Sequence, residues 1–144
     1  IGINMIVDNE KKLIFRELKS LLNFAYCPYS NFPVACVVRS GGKYFKGVNV
    51  ENASYPVGLC AERNAISQAI TLGHRTVEEV YVISSSNDTF VMPCGMCRQF
   101  MSEFMESDNA KIYVFKPNGQ FKVFTIGEIL LNRFTKNDMF IKQQ

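Results

Sequence analysis

The sequence has little of what marks a membrane protein, a secreted scaffold or a nucleic-acid binder. No apolar run approaches the ~18–20 residues a membrane-crossing helix needs, and residues 1–12 lack the charged start, apolar centre and cleavage site of a signal peptide. The expectation is a soluble, cytoplasmic protein with no membrane partner. A chain that starts at Ile1 rather than Met is expected to have been trimmed, or to carry an added remnant before Met5. No stripe of one charge is present. The 16 Lys and Arg are scattered among 13 Asp and Glu for a net +3, so nucleic acid is not expected as a partner. Histidine is nearly absent. The one residue, His74, follows a predicted helix stop, where it reads as a C-terminal cation and leaves Ser–His and Cys–His nucleophile schemes unsupported. Five cysteines are an odd, unevenly spaced number in a chain large enough to fold without staples, which argues against a disulfide framework and moves thiol or metal chemistry forward.

What is present is an ordinary globular composition, 47% hydrophobic and 20% charged, with no linker, low-complexity segment or repeat. At 144 residues such a chain can bury roughly 70% of its unfolded surface, so residues 1–144 are read as one domain with a polar tail at 135–144. Leu13, Ile14, Leu18, Leu21, Leu22 and Ala25 recur at helical spacing between Asp8, a candidate cap, and Tyr26. Residues 34–39 and 43–50 flank Gly41-Gly42 as a β-hairpin. Helical spacing returns over 61–72, stopped by Gly73, and over 95–106, while 80–84 and 111–115 read as strands. Pro117-Asn118-Gly119 turns the chain into a strand over 120–125, and a short helix is expected over 126–132. The order predicts an α/β fold: a five-stranded mixed sheet with helices on both faces, a three-layer αβα sandwich.

Two segments carry chemistry. Cys60-Ala61-Glu62 and Pro93-Cys94-Gly95-Met96-Cys97 each fall at the start of a predicted helix, where unpaired N–H groups and the positive end of the dipole stabilise thiolates. Three thiolates can then face one ion. By itself Cys-x-x-Cys is equally a redox pair, part of a structural zinc site or a pair of small buried hydrophobes. A structural site would need a fourth ligand, for which Cys27, in a turn, is a better candidate than Cys36 within an apolar strand. A redox role for Cys94 and Cys97 leaves Cys60-Ala61-Glu62 unexplained.

Taken together, the two segments match the zinc deaminase signature, with Cys60 at the position often held by His. The chain further resembles the short, homotetrameric cytidine deaminases in Tyr26-Cys27-Pro28-Tyr29-Ser30-Asn31-Phe32-Pro33-Val34, in Asn49-Val50-Glu51-Asn52-Ala53-Ser54-Tyr55, in Cys60-Ala61-Glu62-Arg63 and in Pro93-Cys94-Gly95-Met96-Cys97-Arg98-Gln99. The resemblance spans about residues 25–134. It departs at Cys27, Ala35 and Leu131, where the family commonly has Ala, Gly and Pro, and along residues 56–59. It implies hydrolytic deamination of cytidine and deoxycytidine to uridine and deoxyuridine in pyrimidine salvage, with one zinc per subunit on Cys60, Cys94 and Cys97. Glu62 is implied as the proton shuttle beside the attacking water. Arg63, three residues after Cys60 and so on the same helix face, can bond the sulfurs and offset the one net negative charge that three thiolates leave on a divalent zinc. The same resemblance implies that Phe32, Asn49, Glu51, Tyr55 and Ala61 contact the nucleoside, with Asn49 and Glu51 on the ribose 3′-hydroxyl. Phe134 is implied to cover the base in a neighbouring subunit. A blasticidin S deaminase shares the ligand motifs; Asn49, Glu51 and Phe134 favour the nucleoside.

Overall fold

The computed structural model describes residues 2–140, and it starts its first helix where the cap was expected. Asp8 is extended, and its carboxylate accepts from the Lys11 backbone N–H at 2.8 Å, satisfying a donor that helix α1 (Asn9–Leu21) cannot pair internally. Buried Ile14, Leu18 and Leu21 give α1 its apolar face, and a single 3₁₀ turn (Leu22–Phe24) ends it short of Tyr26. Strands β1 (Val34–Ser40) and β2 (Lys43–Val48) form the expected hairpin, with Gly41 and Gly42 at φ 59° and 74°, the left-handed pair a two-residue turn requires.

Helix α2 (Ala61–Thr71) leads to β3 (Glu79–Ser84), α3 (Gly95–Phe104) to β4 (Lys111–Phe115), and β5 (Phe121–Thr125) runs straight into α4 (Ile126–Ile129). The sheet order is β2-β1-β3-β4-β5, with β3 and β4 parallel and every other pairing antiparallel. Alternation along the strands sorts the side chains. Cys36, Val38, Val80, Val82, Ile112 and Val114 pack under α2 and α3, while Ala35, Val37, Tyr81, Ile83, Tyr113 and Phe115 pack under α1. The mixed five-stranded sheet between two helical layers is the fold the sequence predicts.

Several details differ, beginning with β2, which ends at Val48 rather than at 50, and α3, which ends at Phe104 rather than at 106. α4 stops at Ile129 rather than at 132, where Asn132 takes a left-handed φ of 51°. Within the expected polar tail, residues 136–139 form a helical turn, α5 (Lys136–Met139), whose entry is fixed by the Asp138 carboxylate accepting from the Thr135 N–H at 2.7 Å. The remainder of that tail, 141–144, lies outside the described residues. Near the start of the chain, Asn4 exchanges backbone hydrogen bonds with Phe121 and so extends the β5 edge.

One glycine decides how α2 sits. A Cβ on Gly47 of β2 would lie 2.5 Å from the Ala65 nitrogen and 2.8 Å from the Ala61 oxygen, so the helix backbone rests directly on the strand. Beside it the Asn64 amide donates to the Val48 carbonyl at 2.7 Å, which pins the first turns of α2 to the end of β2.

Candidate active site

Both helices that bear the thiols begin on a cysteine. Cys60 and Cys94 are the residues immediately before α2 and α3, extended in backbone, and neither makes a side-chain cap hydrogen bond. Sulfur therefore stands where Ser, Thr, Asp or Asn ordinarily caps, next to first-turn N–H groups and the positive ends of two helix dipoles. Cys97, in the first turn of α3, is buried. The three Sγ atoms lie within 4.8 Å of one another, with Cys60 and Cys94 4.0 Å apart. Sulfurs bound to a tetrahedral zinc at about 2.3 Å sit about 3.8 Å from each other, so the cluster fits a zinc ion with small movements.

Among the described residues no fourth His, Cys, Asp or Glu joins this group. Cys27 stays in its turn, Cys36 lies buried in β1, and the His74 ring packs 4.9 Å from Phe45. A four-thiolate structural centre on Cys27 is not assembled, and a three-ligand set leaves the open position typical of a catalytic zinc. The sulfurs perturb one another. A hydrogen bond from Cys97, with others from Arg63 and Cys94, holds the Cys60 thiol well below its ordinary pKa, while that bond and burial push Cys97 far up. Arg63 Nη2 donates to the Gly58 carbonyl at 3.2 Å and reaches the Cys60 sulfur at 3.9 Å, and its buried Nε has no partner.

Glu62 stands one residue into α2, only 4% exposed, and burial raises its carboxyl above the ordinary value. It lines a cavity of about 170 Å³ together with Cys60, Ala61, Cys94, Asn49 and Val34. A more open cleft of about 350 Å³ shares Asn49, Cys60 and Cys94 and extends to Glu51, Tyr55 and Arg63. Asn49, Glu51, Tyr55 and Ala61 are thus brought to the thiols.

Asn49 and Glu51 also brace the loop in front of the site. The Asn49 amide donates to the Phe32 carbonyl at 2.8 Å and accepts from the Val34 N–H at 2.9 Å. Glu51 accepts from the Tyr29 and Ser30 N–H groups, each at 3.1 Å, and from the Ser30 hydroxyl, which together lower its carboxyl pKa. Phe32 is held by this bracing but lines neither cavity. Phe134, 58% exposed, also stands away from them on its own chain.

Two further residues matter that spacing did not single out. Arg98 donates from Nε to the Pro93 carbonyl at 2.8 Å and from Nη1 to the Ile129 carbonyl at 2.9 Å, and Gln99 donates to the Phe134 carbonyl at 2.9 Å. They tie the 129–134 segment to the helix that carries Cys94 and Cys97. Their place directly after the second cysteine was the signal available in the sequence.

The sequence model of the cytidine and deoxycytidylate deaminase zinc-binding region matches residues 8–114. The chain belongs to this deaminase family. It is 41% identical over 124 residues to the cytidine deaminase of Mycoplasma genitalium, covering 86% of this chain and 95% of that one, and 43% identical over 122 residues to that of Mycoplasma pneumoniae, covering 84% and 91%. Its structure superposes with a TM-score of 0.80 on the crystal structure of cytidine deaminase from Burkholderia pseudomallei, at 32% identity, covering 89% of this chain and all of that one. As a member of the cytidine deaminase family the protein is an enzyme, and the zinc-binding region of the family encloses Cys60, Cys94 and Cys97, the cluster able to hold the ion. Among the described residues no helix is long and apolar enough to cross a membrane.

Proposed function

We propose that this deaminase hydrolyses cytidine and deoxycytidine to uridine and deoxyuridine, releasing ammonia, as a step of pyrimidine salvage. The observation that carries the reading is the buried Glu62 beside three converged thiols, in a cavity small enough for a pyrimidine ring and also bordered by Asn49. Cys60, Cys94 and Cys97 would hold one zinc per subunit, which would supply Lewis-acid activation of a water molecule. Glu62 takes the proton of the attacking water and passes it to the ring nitrogen and then to the departing amine. Burial raises its carboxyl above the ordinary value, the direction that favours taking up a proton. Arg63, with Nε to spare, bonds the Cys60 sulfur and draws off part of the charge of three thiolates.

Asn49 retains one N–H and one lone pair, and Glu51 retains one lone pair on Oε2, after bracing the loop, so both still have capacity for a ribose hydroxyl. Holding loop and sugar with the same groups couples substrate binding to the order of residues 29–34. Tyr55 and Ala61, which line the cleft and the cavity, are assigned to the nucleoside pocket, and Phe32 is assigned to it through the loop that Asn49 braces. Exposed Phe134, fixed to α3 through its carbonyl yet remote from its own thiols, fits a role over the base of a neighbouring subunit in a homotetramer. We read residues 1–144 as one domain, and place it in the cytoplasm, where reducing conditions keep the thiols available for metal.

The test is a panel of cytidine, deoxycytidine, cytosine, blasticidin S and a cytosine-containing oligonucleotide, scored by ammonia release. Turnover of the two nucleosides is expected. Turnover confined to blasticidin S or to the oligonucleotide would overturn the assignment.

A further inference from the structure

The cavity beside Glu62 has one wall that is not part of any regular element. Residues 85–92 leave β3, cross the end of the sheet and return to Cys94, and on the way Val91 and Met92 line the cavity. This loop hangs from the β4–β5 hairpin, which contributes nothing else to that cavity. Asn87 Oδ1 accepts from the Asn118 backbone N–H at the hairpin turn, at 3.1 Å. Phe90, directly before the two lining residues, packs against the core under α3 and lies 4.4 Å from the Lys116 ammonium and 4.9 Å from that of Lys122, measured to its ring centroid.

The topology explains why two lysines meet there. β3 and β4 are parallel, so Lys116, just past β4, stands at the end of the sheet from which the loop leaves β3. Lys122 is the register partner of Val114, whose side chain faces the α2–α3 layer, so it stands on the face that carries the thiols. Both lysines are partly buried, and among the described residues neither pairs with a carboxylate. A partly desolvated ammonium without a counter-charge gains more than an exposed one from the negative face of a ring.

We propose that Phe90, gripped by Lys116 and Lys122, is a positioning residue that sets the wall formed by Val91 and Met92 and thereby the affinity of the cavity for the pyrimidine ring. The proposal rests on the nucleoside reading above. The lysines act through Phe90, and Phe90 acts through its two neighbours; none of the three is placed in the chemistry. Loosening the grip lets the wall move away from the ring, which weakens binding while leaving Glu62 and the thiols where they are.

The test is the double substitution K116M/K122M, which keeps the apolar stems and removes the charges, studied in the zinc-loaded protein beside K116R/K122R, which restores a cation over the ring. The Met pair is expected to raise KM for cytidine by about fivefold, the size of one partly buried cation–π contact, with kcat and zinc content unchanged. Amide hydrogen exchange should quicken over residues 85–92, and the Arg pair should return both readouts toward the original. Phe90→Leu, which keeps apolar volume, should behave as the Met pair does. Faster exchange with an unchanged KM, or a KM rise that Arg does not reverse, would overturn the proposal. Failure of the unsubstituted enzyme to turn over cytidine would instead overturn the nucleoside reading, and this proposal with it.

Discussion

Beneath α2 the sheet brings one glycine to a helix lined with small residues: Gly47 lies under Ala61 and Ala65, and Ala69 follows, all three alanines fully buried. Beneath α1 the same sheet presents rings. Tyr81 stacks on Tyr113 with centroids 4.6 Å apart and 11° between planes, and Phe115 and Phe121 close in at 5.0 Å. Small residues bring backbone against backbone, so that the first turn of α2 is positioned by main-chain contact and carries Cys60 and Glu62 to a fixed place. Aromatic packing fills volume there, and the Tyr81 hydroxyl is engaged with Glu79 at 2.5 Å. Main-chain contact under α2 sets distances for the site, while both faces of the sheet supply apolar core.

The sharpest separation should come from Glu62→Gln, which keeps the shape of a group that the fold itself gains nothing from ionising. Turnover should fall about a thousandfold while zinc content and Tm hold, because a buried amide costs less than a buried carboxylate. Loss of zinc together with activity would make Glu62 structural. Cys60→Ser should lose zinc and turnover together, and Cys27→Ser should keep both; loss of metal in the Cys27 variant would bring the four-thiolate centre back.

A second pair sets the faces against each other at similar cost in stability. Leu18→Ala, on the wholly buried side of α1, should cost about 3 kcal/mol in denaturant unfolding yet leave kcat and zinc per folded chain unchanged. Gly47→Ala should cost about 2 kcal/mol by forcing α2 outward, and it should also weaken zinc retention, since Cys60 moves with the helix. If both variants kept zinc equally well, main-chain seating of α2 would not be what positions the site.

The smallest effect is a titration. Glu51 is held below its ordinary 4.5 mainly by the Ser30 hydroxyl and then by the Ser30 and Tyr29 N–H groups. Its grip on the loop is therefore complete above 4.5 and is lost as pH falls through the lower folded value. The Ser30 amide NMR shift should titrate below 4.5, and a midpoint at or above that value would show that the contact does not hold in solution.

How much of this was legible in the sequence follows the range of the interactions. Asp8, Gly41-Gly42 and Gly73 act within a few residues of themselves, and each marks the boundary expected of it. The thiols were legible because a short spacing and two helix starts carry their chemistry. What stayed hidden depends on partners far along the chain: the bond from Arg98 to Ile129, the seat of α2 on Gly47, the pairing of Asn4 with Phe121, and the meeting of Phe90 with Lys116 and Lys122. The turn at 136–139 was missed for a different reason. Thr135 and Asp138 have capping spacing, but no apolar periodicity follows them to mark a helix.

Whether three thiols hold a zinc ion beside which Glu62 works is decided by following uridine formation from cytidine as metal is removed with a chelator and returned. Turnover should be lost on stripping and recover fully at about one equivalent of zinc per chain. Undiminished turnover by metal-free protein, or a disulfide between Cys94 and Cys97 in protein purified without chelator and lacking metal, would contradict it.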